Sequence, residues 1–199
     1  IATRSYGNYL LIKYSPSGDT IWTKEYDRTE SDFAHGVAID SSGNIIAVGY
    51  IQGDSTFYDA HIIKFTPDGD TLWTRTFYGE FLGAADYAYD VAVDSKGNII
   101  VSGKGQSTPG SLYDYLVLKY DSSGALLWNR WYATEYSVAQ DVAVDDSDNV
   151  IVTGFSSNGL NYDWCTIKYN PDRDSLWIRR IDFSLEDRAR TVSTDREGN

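Results

Sequence analysis

The sequence predicts an all-β fold of repeated four-stranded antiparallel sheets, and three observations predict it. First, the 199-residue chain restates one pattern four times: Lys13-Tyr14, Lys64-Phe65, Lys119-Tyr120 and Lys168-Tyr169 are each followed, nine residues after the Lys, by Trp22, Trp73, Trp128 and Trp177. The tryptophans are 51, 55 and 49 residues apart, the length of one supersecondary unit. Second, Gly36-Val37-Ala38-Ile39-Asp40 returns as Asp90-Val91-Ala92-Val93-Asp94, as Asp141-Val142-Ala143-Val144-Asp145 and, more weakly, as Thr191-Val192-Ser193-Thr194-Asp195. Third, short β-branched runs alternate with Gly, Asn, Asp and Ser clusters, and no stretch carries helical periodicity.

The strands of one unit can be placed in order. Val91-Ala92-Val93 runs into the turn Asp94-Ser95-Lys96-Gly97-Asn98 and then into Ile99-Ile100-Val101-Ser102, a hairpin. A polar, glycine-rich loop over 103–112 leads to Tyr115-Leu116-Val117-Leu118-Lys119-Tyr120. The turn Asp121-Ser122-Ser123-Gly124 then leads to Leu126-Leu127-Trp128-Asn129-Arg130-Trp131-Tyr132, a second hairpin. Four short strands per roughly 50 residues describe a blade of a β-propeller, meandering from an inner to an outer edge. Inner strands are expected near 37–39, 91–93, 142–144 and 191–194, within a single repeat domain over residues 1–199.

The ends fall inside a blade. Ile1-Ala2-Thr3-Arg4-Ser5 matches the second strands Ile46-Ala47-Val48-Gly49-Tyr50 and Ile151-Val152-Thr153-Gly154-Phe155, and Glu197-Gly198-Asn199 matches the turn Ser42-Gly43-Asn44. One blade is thus split between the termini. Either its halves pair and close a four-bladed ring, or the chain is an arc of a larger propeller, because an open arc leaves strand edges for further blades or another copy to cover. The sequence contains no Met and is read as a processed product or a fragment.

The Val-Ala-Val-Asp phrase with its Gly-Asn turn, the Lys-Tyr pair and the Gly-x-x-x-Trp outer strand resemble the bacterial β-propeller repeats called SBBP repeats, with NHL-like inner hairpins. The resemblance covers essentially the whole chain. It implies a propeller but no activity, since that family is defined by architecture. The Trp-Asp dipeptide of WD-type blades is absent, so their partner-binding habits are not carried over.

Composition bounds the partners. A net charge of −12, with no Lys/Arg cluster to relieve it, argues against nucleic acid, whose phosphates need a basic stripe. No apolar run approaches eighteen residues, so no helical membrane insertion is expected. The one cysteine, Cys165, occupies the place of Leu10, His61 and Leu116 in other units and is expected to be a buried small hydrophobe. With 15% aromatic residues and 16 Tyr, the composition suits packed strands of a secreted or surface-exposed bacterial protein.

Internal repetition separates scaffold from function. Asp40, Asp94, Asp145 and Asp195 each precede a turn, where a carboxylate can accept backbone N–H groups. Asp59, Asp114, Asp163 and Asn8 recur at the start of the third strand. Asp145-Asp146-Ser147-Asp148-Asn149 has the density of an oxygen-ligand loop, but it lacks the alternating ligand set and terminal Glu of an EF-hand. A turn, and no metal or cofactor, is expected there. The outer-strand Trp residues, each two residues before Lys24, Arg75, Arg130 or Arg179, are expected to lie buried between blades under the cation's stem.

Catalysis finds little footing. His35 and His61 are too few for a repeated-ligand metal site, and phosphate-loop and nucleophile-elbow patterns are absent. Glu80, Glu135, Asp32 and Asp86 lie in variable loops and are candidates for a glycosidase carboxylate pair. The segments that vary between units, 50–58, 77–87, 103–113, 132–136 and 156–162, should emerge at one end of the blades and gather tyrosines there. Tyrosine offers large contact area with a polar handle, so protein or glycan recognition is expected on that face. A purely structural repeat segment is the alternative, and a hydrolase or lyase is a remoter one. One position differs sharply in chemistry while its neighbours stay alike: His35, Tyr89, Gln140 and Arg190 each follow an Ala and precede the inner-strand motif. These four are the candidate ligand-binding residues, placed at the mouth of the central channel.

Overall fold

A computed structural model describes residues 2–5, 8–26, 31–52, 57–79, 83–108, 112–183 and 185–195. Among them every regular element is a strand, arranged as successive antiparallel blades. The first blade has three strands, β1 (Ala2–Ser5), β2 (Asn8–Tyr14) and β3 (Thr20–Tyr26). The second comprises β4 (Asp32–Ile39), β5 (Ile45–Gln52), β6 (Tyr58–Phe65) and β7 (Thr71–Phe77). The third comprises β8 (Tyr87–Val93), β9 (Ile99–Gly105), β10 (Asp114–Tyr120) and β11 (Leu126–Tyr132), and the fourth β12 (Ser137–Val144), β13 (Val150–Ser157), β14 (Tyr162–Tyr169) and β15 (Ser175–Ile181). The expected four-stranded propeller blades are therefore present.

The second and third blades bury both faces of their middle strands. On β5, Ile46 and Val48 pack toward Val91, Val101 and Leu118 of the third blade, while Ile45 and Ala47 pack toward Tyr9 and Leu11 of the first. That two-sided burial explains why second strands read as continuous apolar runs instead of alternating ones. Cys165 lies in the equivalent core between third and fourth blades, fully buried, and burial pushes its thiol up to about 11.

The turn aspartates behave as expected and do more. Asp94 Oδ1 accepts the N–H groups of Lys96 and Asn98 at 3.0 and 2.8 Å, and its Oδ2 accepts Asn98 Nδ2 at 2.8 Å. The same Oδ2 receives Lys119 Nζ at 2.9 Å, with both side chains buried. Lys64 with Asp40 and Lys168 with Asp145 repeat the pair at 2.9 and 2.8 Å. In these three blades the lysine of the Lys-aromatic pair thus ties the third strand to the first hairpin of its own blade; Lys13 of the first blade donates instead to Pro67 O of the second at 2.7 Å. Asp148, in the suspected ligand loop, takes the left-handed place (φ 60) that Gly43 and Gly97 hold elsewhere. Its carboxylate accepts the N–H and Oγ of Ser95 in the preceding blade, each at 2.8 Å.

Neighbouring blades are latched through the turn between their third and fourth strands. Trp22, Trp73 and Trp128 donate Nε1 to the carbonyls of Pro67, Ser122 and Pro171 in the next blade, at 3.2 to 3.3 Å. Arg75 Nε reaches Gly124 O at 2.6 Å and Arg130 Nε reaches Arg173 O at 3.0 Å. The expected burial is complete for Trp128. Trp22, Trp73 and Trp177 are half-buried, the first two packed against the cores that their blades share with the next.

The segment 191–194 is not a strand, contrary to expectation. It lies beside β12, where Val192 N donates to Asp141 Oδ2 at 2.6 Å and Thr194 Oγ1 to Val144 O at 3.2 Å. Its neighbour is therefore the fourth blade. β1 pairs with β2 alone among the described residues, and no strand pairing between it and 191–195 is present there. An apolar groove of about 500 Å³, lined by Leu11, Trp22, Val37, Ile39, Ile45 and Pro67, opens between the first and second blades. The turn 197–199 lies outside the described residues.

Removing one partner of a buried ion pair leaves an uncompensated charge. Lys119→Met is expected to destabilise the protein by about 3–5 kcal/mol in urea unfolding, with the fold retained by circular dichroism.

Candidate functional site

The position singled out by its divergence has a backbone cause. The pairing of each inner strand with its neighbour slips by one residue between Ala34 and Gly36, between Ala88 and Asp90, and between Ala139 and Asp141. His35, Tyr89 and Gln140 are thus the extra residues of three equivalent β-bulges. A bulge releases one side chain from the pleat and re-aims it. Opposite each bulge stands Gly49, Gly103 or Gly154, where a Cβ would overlap the carbonyl of Phe33, Tyr87 or Val138. The glycine in the second strand is therefore required by the bulge it faces.

The structure brings together two of the four candidate residues. The rings of His35 and Tyr89 meet edge to face at 5.5 Å between centroids, and His35 stacks on Tyr50 at 5.2 Å. Burial lowers the His35 pKa and raises that of Tyr89. Gln140 is half-buried on β12, and Arg190 is exposed in the segment that follows Ala189. The four share a repeat position, and the rings of His35 and Tyr89 are in direct contact.

A larger feature surrounds that pair. Tyr50 meets Tyr87 at 4.7 Å, Tyr87 meets Tyr113 at 5.7 Å, Tyr113 meets Tyr136 at 5.9 Å, and Tyr136 meets Tyr162 at 5.6 Å. This belt runs across three blades on the side of the variable loops, where the sequence placed the tyrosines. The belt rings are half-buried, whereas Tyr9 and Tyr115 in the blade cores are fully buried. Some anchoring is built in: the carbonyls of Tyr58 and Tyr113 accept the N–H groups of Asp86 and Ser137 at the start of the next blade, and that of Tyr162 accepts Asp187 N in the segment after β15, each at 2.7 Å.

Lys104, unremarked in the sequence beyond its loop, lies at the centre of the belt. Its Nζ is 4.2 Å from the Tyr113 ring centroid, 4.8 Å from that of Tyr87 and within hydrogen-bond reach of Tyr136 Oη at 3.5 Å. Arg188 lies at the belt's end, 4.7 Å from the Phe155 ring and 4.6 Å from that of Tyr162, and is paired with Glu186 at 3.0 Å.

The carboxylates considered for hydrolysis differ in exposure. Asp32 and Asp86 are fully buried, Glu135 is exposed, and Glu80 lies outside the described residues. Asp86 Oδ2 accepts Gly79 N at 2.7 Å, while its Oδ1 has no hydrogen-bond partner among the described residues and lies against Gly105. Burial raises the Asp86 pKa to about 7.

Comparison with known proteins gives the fold a context. No family model matches the chain. It is similar to the uncharacterized WD repeat-containing protein L264 of Acanthamoeba polyphaga mimivirus, 26% identical over 207 residues, covering 77% of this chain and 15% of that protein. Among solved structures it is similar to a protein of unknown function from Bacteroides caccae, with a TM-score of 0.58 and 15% identity over 96% of this chain and 63% of the other. It is also similar to the lignostilbene dioxygenase of Pseudomonas brassicacearum, with a TM-score of 0.50 and 15% identity over 90% of this chain and 46% of the enzyme. The chain thus spans less than two thirds of each. A WD-repeat protein is a distant relative despite the missing Trp-Asp dipeptide, and the chain is a set of propeller blades.

The buried carboxyl sets a pH dependence of stability. The unfolded Asp86 ionises near its ordinary 3.8, whereas the folded one keeps its proton to about 7. The folded state therefore holds the extra proton between these values, and its stability contribution is complete below about 4 and declines as pH rises to about 7. Asp90, raised by burial and by the adjacent Asp141 carboxyl, acts with the same sign. Asp86→Asn is expected to reduce the loss of urea midpoint between pH 5 and pH 7.5; an unchanged loss would contradict the assignment.

Proposed function

We propose that this chain is a non-catalytic binding module, part of an SBBP-type propeller of a secreted or surface bacterial protein, which recognises protein or glycan through its tyrosine-rich loop face. The observation that carries this reading is the belt itself. The core rings Tyr9 and Tyr115 are fully enclosed, whereas the belt rings stay half-buried in a continuous row over three blades. Such rings present broad, rigid, amphipathic area at small rotamer cost. The full burial of Asp32 and Asp86, which closes them to a substrate, favours binding over hydrolysis.

A second reading, a structural segment that assembles with further blades or another copy, is favoured by the outer edge of the fourth blade. Trp177 and Arg179 repeat the latch, yet they hold no turn carbonyl of a further blade among the described residues, and Arg179 bonds to its neighbour Ile178 O at 3.0 Å. Leu176, Ile178 and Ile181 of β15 are exposed.

Glycan arrays and peptide display with the wild-type protein and Tyr113→Ala separate these readings. The recognition reading expects ligands whose affinity falls at least about tenfold in Tyr113→Ala while circular dichroism is unchanged. Ligands indifferent to the belt, or concentration-dependent assembly with no ligand at all, would contradict it.

A further inference from the structure

We infer that Lys104 anchors a carboxylate of an acidic glycan, a hexuronate-bearing chain laid across the tyrosine belt; this deepens the reading of the belt as a recognition face and rests on it. The first support is repetition. The residue after each bulge-facing glycine is Tyr50 in the second blade and Phe155 in the fourth, and both are rings of the aromatic row. The third blade places Lys104 there instead. A ring would have continued the stack, so the scaffold does not call for the ammonium.

The second support is charge. Lys64, Lys119 and Lys168 each hold an aspartate at 2.8 to 2.9 Å. Lys104 has no carboxylate within ion-pair distance among the described residues, although the chain carries 29 acidic side chains. Its recorded polar contact is Tyr136 Oη, and four tyrosine rings lie within 6.0 Å of Nζ. Ring faces attract a cation, yet burial still holds its pKa below that of an ordinary lysine. An ammonium kept partly desolvated without a counter-ion is stabilised by an incoming anion.

The class of anion follows from the surroundings. A net charge of −12 repels densely charged polyanions, and one ammonium balances one carboxylate. The walls are tyrosine rings and hydroxyls instead of an aliphatic groove. Pyranose C–H faces pack on such rings while sugar hydroxyls meet the phenols, so a uronate sugar uses every group present.

Trimers carrying a single galacturonate, glucuronate or mannuronate residue among neutral sugars, each beside its uncharged methyl ester, test this by isothermal titration at low salt. At least one acid is expected to bind about tenfold more tightly than its ester. Lys104→Gln should abolish that preference while changing the ester's affinity less than about twofold, and Lys104→Arg should retain it. Equal binding of acid and ester, no binding of any trimer, or an acid preference that survives in Lys104→Gln would overturn the inference. Lys104-dependent capture of hexaglutamate with no trimer bound would overturn the glycan assignment but leave the belt as a recognition face. That wider reading fails separately, if Tyr113→Ala affects no ligand.

Discussion

The structure depends on a buried ion pair that each complete blade repeats. Lys119 and Asp94 are both enclosed, their side chains 3% and 1% exposed. Two charges removed from water are tolerable only if every remaining donor and acceptor is met. The aspartate meets this condition by closing the first hairpin's turn with Asn98, and the lysine crosses to it from the third strand. In the second blade the same ammonium also reaches Ser122 O of the next blade at 3.3 Å, the carbonyl that Trp73 holds. Order within a blade and order between blades therefore meet at one atom. The nine-residue spacing from Lys to Trp has the same origin, because Lys64 faces Trp73 and Lys119 faces Trp128 in the register of the second hairpin.

A scaffold fastened in this way can afford irregularity at its inner strands. The bulges at His35, Tyr89 and Gln140 sit above the ion-paired turns, and each is fixed by a glycine too close to a carbonyl to carry a side chain. The bulge side chain is thus freed from the repeat's packing. Just beside it, the residue after the glycine is freed as well, and there the second and fourth blades put a ring and the third puts Lys104. Divergence between units is concentrated where the backbone imposes the least.

The strands and turns were legible in the sequence because local chemistry fixes them: alternation, β-branching and the Asp-to-Asn turn all agree. The segment 191–194 has the pattern but not the pairing, since a strand is defined by a partner and its neighbour contacts run to the flank of β12. Half-burial of Trp22 and Trp73 was illegible because it depends on how far the next blade's turn overhangs. The carriers of the ion pairs were visible as repeated letters, yet nothing in spacing alone tells that Lys119 meets Asp94. The tyrosine face was legible from loop variation. Lys104 was not, because its signal is an exception at one repeat position, which becomes conspicuous only once Gly49, Gly103 and Gly154 are aligned by their bulges.

The most direct test of this account is a double-mutant cycle on Lys119 and Asp94, using Met and Asn as replacements and urea unfolding as the readout. A shared buried bond predicts a coupling energy of about 2–3 kcal/mol, with the double variant more stable than the sum of the single losses implies. Additive losses, with a coupling below about 0.5 kcal/mol, would contradict the claim that the pair organises the blade.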